Sequence, residues 1–170
     1  MKKKKILILG GGISREREIS LQTAKSVYKE LKKKNYKVII SEPDENLINK
    51  IKNFRPNVVF NALHGQFGED GYMQALLEAQ KVKYTHSGVL ASFNAMDKEI
   101  SKKIYTKNKI LTPKYIKFSY KNNNKMDKKI IKKIKKKLKF PVVIKPINEG
   151  SSVNVYICNS KNFLKNLKKL

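Results

Sequence analysis

Short all-apolar runs alternate with stretches of helical spacing along the first half of the chain. Ile6 to Leu9 is a continuous apolar run ending in Gly10-Gly11-Gly12, which predicts a short buried strand. Ile19 to Lys34 follows, with apolar positions at Ala24, Val27, Tyr28 and Leu31 that fall on one helix face. Val38-Ile39-Ile40 predicts a second strand, Leu47 to Phe54 a short helix, and Val58 to Leu63, after Pro56, a third strand. The loop His64 to Gly71 leads into a predicted helix over Tyr72 to Ala79, then into a short strand at Lys83-Tyr84-Thr85. Strands apolar at nearly every position, alternating with helices, are those of a parallel sheet covered on both faces. Residues 1–95 therefore read as an open α/β domain.

Over residues 96–170 the pattern changes. A lysine-rich helix is predicted over 98–108, a strand over Tyr115 to Phe118 and a polar loop over Lys121 to Lys125. A helix from Asp127 to Leu138 comes next. Its apolar residues Ile130, Ile131, Ile134 and Leu138 line one face, and lysines cover the other. Pro141 to Pro146 and Val153 to Ile157 read as strands around a loop with Gly150. Lys161 to Leu170 reads as a helix with Phe163, Leu164, Leu167 and Leu170 on one side. This βαββα-like unit is expected to be incomplete, because nothing follows its last helix to pack on it.

The 39 basic against 13 acidic residues give a formal net charge of +26, which invites a nucleic-acid reading. Only Arg15, Arg17 and Arg55 of the basic residues are arginine, the side chain suited to bidentate phosphate and guanine contacts. A surplus of lysine, asparagine and isoleucine fits codon bias in an AT-rich genome better, so a nucleic-acid or membrane-surface role rests on charge alone. The opening Met1-Lys2-Lys3-Lys4-Lys5 is followed by only four apolar residues, whereas a signal peptide needs roughly 7–15. No stretch reaches the roughly 18 apolar residues of a membrane span. The one cysteine, Cys158, permits no internal disulfide. The expectation is a soluble, cytoplasmic protein.

All eight glycines mark strand ends, loops or helix starts, and Glu16, Glu18, Glu69, Asp70, Asp97 and Glu149 lie in or beside the same loops. Gly10 to Ser20 follows a strand and opens a helix, a setting in which backbone N–H groups can hold an anion. It lacks the G-x-G-x-x-G dinucleotide fingerprint, and no acidic residue is expected to close the second strand about 20 residues on. Arg15-Glu16-Arg17-Glu18 reads equally well as a solvated helix turn. His64 to Gly71 follows the carboxyl end of a parallel strand, where open α/β sheets bind ligands. His64 is a candidate there beside a purely structural reading, and Glu69 and Asp70 suit helix capping as well as chemistry. Lys145 ends an apolar strand before Glu149-Gly150-Ser151-Ser152. One cation, hydroxyls and close backbone suit a phosphate, and Lys98 is a second candidate cation.

Together these loops resemble the D-alanine–D-alanine ligases, members of the ATP-grasp enzymes. The likeness lies in Ser14 to Leu21, in Ala62 to Gly71, in Tyr84 to Ser92, in Met96-Asp97-Lys98 and in Lys145 to Ser152, matched in order and spacing. The resemblance implies a Rossmann-like N-terminal (pre-ATP-grasp) domain over 1–95 and a partial α+β ATP-grasp lobe over 96–170. It implies that ATP phosphorylates the carboxylate of one D-alanine and that a second D-alanine attacks the acyl phosphate, giving the dipeptide for peptidoglycan. By motif, Glu16 would anchor the first D-alanine's ammonium with Ser20 near it, and His64 would lie beside the reacting groups. Lys98, Lys145, Glu149, Gly150, Ser151 and Ser152 would hold ATP, and Ser151 would reach the acidic end of the substrate pocket. Glu16, His64 and Ser151 would form the catalytic set. The partners implied are D-alanine, ATP and a second copy of the chain paired through its N-terminal domain.

The departures are informative. After Glu99 the carboxylates are Asp127 and Glu149, too few for a two-magnesium site. The magnesium ligands, the adenine hinge and the substrate-covering loop of the family are expected beyond residue 170, so little turnover is expected of these residues alone. Asn154 stands where the family usually has a small residue. The alternative is a stand-alone module that binds a small amino acid or phosphate without turnover.

Overall fold

In a computed structural model, which describes residues 3–119 and 124–170, Lys5–Leu9 forms β1. It is the middle strand of a three-stranded parallel sheet, between β2 (Lys37–Ser41) and β3 (Val58–Asn61). Register runs from Lys5 opposite Lys37 to Leu9 opposite Ser41, and from Ile6 opposite Val58 to Leu9 opposite Asn61. A central strand is covered on both faces, which explains its unbroken apolar run. Ile6 and Ile8 pack with Ala24, Val38 and Ala62 beneath α1 (Arg17–Lys33). Leu7 and Leu9 point the other way, into Val59, Leu63 and residues of α2 (Leu47–Phe54) and α3 (Tyr72–Ala79). Each such side chain contributes about 1.5–3 kcal/mol through burial. Tyr84 adds one parallel bridge to Val59 where a short strand was expected over Lys83 to Thr85.

One element has no counterpart in the sequence reading: α4 (Val89–Met96). Its sequence is apolar nearly all round, and Ser92 is its buried residue while Leu90 and Phe93 face outward. A helix that buries its polar position shows no amphipathic stripe to read.

The chain divides into two compact units, Met1–Ala95 and Met96–Leu170. The second contains α5 (Lys98–Lys107), α6 (Asn124–Lys137), β4 (Val142–Ile144), β5 (Tyr156–Cys158) and α7 (Phe163–Leu167). β4 and β5 pair antiparallel, and Ile130, Ile134, Ile144, Cys158, Phe163 and Leu167 form the core between them and the helices. The lysine face of α6 is solvated, as its spacing implied.

Several expectations for this unit are corrected. Tyr115 to Phe118 joins no ladder: Ile116 and Phe118 pack on the core in alternation with exposed Tyr115 and Lys117, but no strand lies beside them among the described residues. The second strand begins at Tyr156 rather than Val153, because Ser151, Ser152 and Asn154 turn through positive φ (45°, 61° and 54°). The last helix spans five residues, and Leu170 lies outside it, half exposed. Of the loop expected over Lys121 to Lys125, residues 121–123 lie outside the described residues, and Asn124 and Lys125 begin α6.

Candidate functional site

The candidate residues fall into two clusters, one in each unit. In the first, β1 delivers the glycine loop and β3 delivers His64, both at the carboxyl end of the parallel sheet. Glu16 immediately precedes α1 at the end of the loop and is nine-tenths buried. Its backbone N–H donates to Ser14 Oγ at 3.1 Å, while that hydroxyl donates to the carbonyl of His64 at 2.7 Å. The two loops are thereby sewn together. A Cβ placed on Gly65, whose φ is +69°, would lie 3.1 Å from Glu16 Oε2, so the glycine lets the second loop pass close to the carboxylate.

Ser20 is fully buried, and its hydroxyl is used twice: it donates to the carbonyl of Ala62 and accepts from Gly11 N–H, both at 2.8 Å. It holds the loop against β3. His64 is about one third exposed, with Nε2 3.3 Å from Thr23 Oγ1 and Nδ1 3.8 Å from Glu69 Oε1. Glu69 Oε2 also accepts from Gly65 N–H, whereas Asp70 serves the helix start by accepting from Tyr72 N–H. Asp70 thus takes the capping role, while Glu69 braces its own loop beside His64.

Within the glycine loop the three glycine N–H groups already have partners: Gly10 donates to Ser41, Gly11 to Ser20, and Gly12 to Glu42 Oε2 at 3.3 Å. An acidic residue does close the second strand after all, since Glu42 follows β2 directly and its carboxylate sits against the glycines. Glu42 and Thr23 escaped sequence reasoning; an acid placed just past a strand end was the available signal for Glu42.

In the second unit Asp97 caps α5, accepting from Glu99 and Ile100 N–H, and this sets Lys98 in the first turn. Lys98 is tied to the loop after β4. Its backbone N–H and its ammonium both donate to the carbonyl of Ile147, at 3.2 and 3.0 Å, and the ammonium also donates to the carbonyl of Glu149. Burial lowers the Lys98 pKa below the ordinary lysine value, and the charge of Lys145 lowers it further. Lys145 itself is exposed just past β4. Gly150, Ser151 and Ser152 are exposed in the turn between the strands, and Asn154 closes that turn with a 2.9 Å bond to Glu149 Oε2. Two cations beside an exposed loop of hydroxyls and backbone donors suit a polyphosphate.

Among the described residues no three His, Cys, Asp or Glu side chains gather as metal ligands, so these residues do not fit a magnesium ion and none is assigned to them. No described helix is long and apolar enough to cross a membrane.

Comparison with known proteins finds one family of enzymes along the chain. The family described as D-ala D-ala ligase N-terminus matches residues 41–87, and that described as D-ala D-ala ligase C-terminus matches residues 104–169. A D-alanine–D-alanine ligase of Pelagibacter ubique is 70% identical over 167 residues, which is 98% of this chain and 54% of the relative. One from Wolbachia pipientis wMel is 47% identical over 156 residues, 89% of this chain and 46% of its own. Among solved structures, a Bacillus anthracis D-alanine–D-alanine ligase complexed with ATP superposes with a TM-score of 0.75 at 32% identity. That match covers 98% of this chain and 54% of the ligase. D-alanyl-alanine synthetase A from Vibrio cholerae superposes with a TM-score of 0.83 at 25% identity, covering 99% and 56%. The chain thus spans about half the length of the curated relatives it matches.

Proposed function

This chain belongs to the D-alanine–D-alanine ligase family, and we propose on that footing that its protein joins two D-alanines into D-alanyl-D-alanine with ATP. The 70% identity over 98% of the chain to a named ligase carries this reading. The γ-phosphoryl group of ATP passes to a carboxylate oxygen of the first D-alanine, giving ADP and an acyl phosphate. The second D-alanine, with its amine deprotonated, attacks the acyl carbon. The bond from that carbon to the phosphate oxygen breaks, phosphate leaves with the electron pair, and the new amide nitrogen sheds a proton.

Each residue has a part that its surroundings support. Glu16 supplies a nine-tenths-buried carboxylate for the first D-alanine's ammonium, with desolvation strengthening the pairing. Ser20 keeps the loop behind it in place. His64 stands at the strand end with one ring nitrogen near Thr23 and the other near Glu69, facing the transferring phosphoryl and acyl oxygens. Lys98 and Lys145 neutralise ATP phosphates, and Glu149 to Ser152 cover them, with Ser151 reaching toward the substrate. The ammonium that now donates to Ile147 and Glu149 would turn those donors to phosphate oxygens. The first unit serves as the family's N-terminal domain and the second as part of its ATP-grasp lobe.

On this reading magnesium enters with ATP and is held by residues other than those described. The reaction runs in the cytoplasm, the dipeptide is used for peptidoglycan, and two copies pair through the first unit. A stand-alone binding module gains no support from the similarities. The test is to incubate the natural gene product carrying this chain with ATP, magnesium and D-alanine. Formation of one dipeptide and one phosphate per ADP is expected, and ADP without dipeptide, or neither, would overturn the reading.

A further inference from the structure

Glu42 places its two carboxylate oxygens on the two ends of one short loop. Oε2 accepts from Gly12 N–H at 3.3 Å, and Oε1 accepts from Arg17 Nη2 at 2.5 Å. Between Gly12 and Arg17 lies the loop that carries Glu16. Gly11 and Gly12 have φ of +88° and +86°, conformations that hold no preference of their own in glycine. A Cβ on Gly11 would also displace the Glu42 carboxylate from the loop. The ion pair with Arg17 is half exposed on both sides, so its effect on overall stability is small. Its geometric effect is local: one carboxylate ties both the loop's entry and the first residue of α1, next to Glu16.

We propose that Glu42 is a positioning residue: from the end of β2 it staples the Gly12–Arg17 loop, and through that loop it aims the Glu16 carboxylate at the ammonium of the first D-alanine. The second half of this statement rests on the ligase reading; the staple itself does not. Ser14 and Ser20 fix the middle of the loop and the first turn of the helix, while Glu42 fixes the two ends.

The test compares the natural gene product carrying this chain with its E42A and E42D variants in three measurements. For E42A the KM for D-alanine rises about tenfold, as expected on losing hydrogen bonds to a charged group, while the KM for ATP and the melting temperature stay close to wild type. E42D keeps the charge one methylene short and recovers part of the loss. Amide hydrogen exchange over Gly12 to Arg17 quickens by a similar factor in E42A. An unchanged KM for D-alanine, or a KM for ATP and a melting temperature that move with it, overturns the positioning role. A wild-type protein that forms no dipeptide overturns the ligase reading instead, and the exchange rates then decide the staple: unchanged rates in E42A refute it.

Discussion

Asn154 donates its side-chain amide to the carboxylate of Glu149 at 2.9 Å, closing the turn that presents Ser151 and Ser152. Asn154 has φ +54°, a region where asparagine is tolerated and alanine is strained. Asn154→Ala loses the bond and strains the backbone, and is expected to destabilise the second unit by about 1–3 kcal/mol. Asn154→Gly relieves the backbone and loses only the bond, so it falls between alanine and wild type. Urea unfolding of the three proteins gives the order.

Lys98 is the cation that holds the neighbouring loop, and its test is a pH dependence. Its pKa is lowered by burial first and by Lys145 second. A lysine depressed in the folded state binds fewer protons there than when unfolded, so stability rises as pH climbs through the folded value toward the ordinary 10.5. Lys98→Met removes that rise. Urea midpoints measured from neutral pH to pH 10.5 show a flatter profile for the variant. On the ligase reading the same change raises the KM for ATP by about tenfold or more through the lost charge-assisted contacts.

The glycines divide into those that need no side chain and those that merely lack one. Gly11 has φ +88°, where any side chain strains the backbone, whereas at Gly88 a Cβ would meet its nearest neighbour at 3.7 Å, an ordinary contact distance. Gly11→Ala is expected to destabilise by about 1–3 kcal/mol, and Gly88→Ala by less than about 0.5 kcal/mol. Thermal unfolding of the pair checks the contrast.

Tyr84 offers a spectroscopic prediction. Its hydroxyl donates to Glu78 Oε1 at 2.6 Å, and that hydrogen bond, with burial and the carboxylate charge, pushes its pKa up to about 12 from the ordinary 10.0. The stability this phenol contributes is fully present below pH 10 and is lost as pH rises toward 12. Absorbance titration at alkaline pH is expected to show one tyrosine ionising late, and Glu78→Gln to bring it back toward its neighbours.

Much of the first unit was legible because its chemistry is local. Ile6 to Leu9 is apolar on both faces because β1 is the middle strand, and Leu47 to Phe54 and Tyr72 to Ala79 form helices over the residues that spacing marked. The loops holding Glu16 and His64 were visible as glycine clusters at strand ends. What stayed hidden depends on partners distant in sequence. Glu42 reaches the glycine loop across thirty residues. Lys98 answers to carbonyls at Ile147 and Glu149. Tyr115 to Phe118 has a strand's alternation without a strand beside it among the described residues, and α4 hides its helix by burying Ser92.

On the ligase reading a carboxylate of D-alanine is activated as an acyl phosphate. The most direct measurement supplies D-alanine labelled with oxygen-18 in its carboxylate to the natural gene product carrying this chain, with ATP and magnesium, and follows the label. Transfer of one labelled oxygen into each inorganic phosphate released, alongside dipeptide, is the result expected. Unlabelled phosphate would contradict it, because the oxygen that bridges carbon and phosphorus in an acyl phosphate must leave with the phosphate.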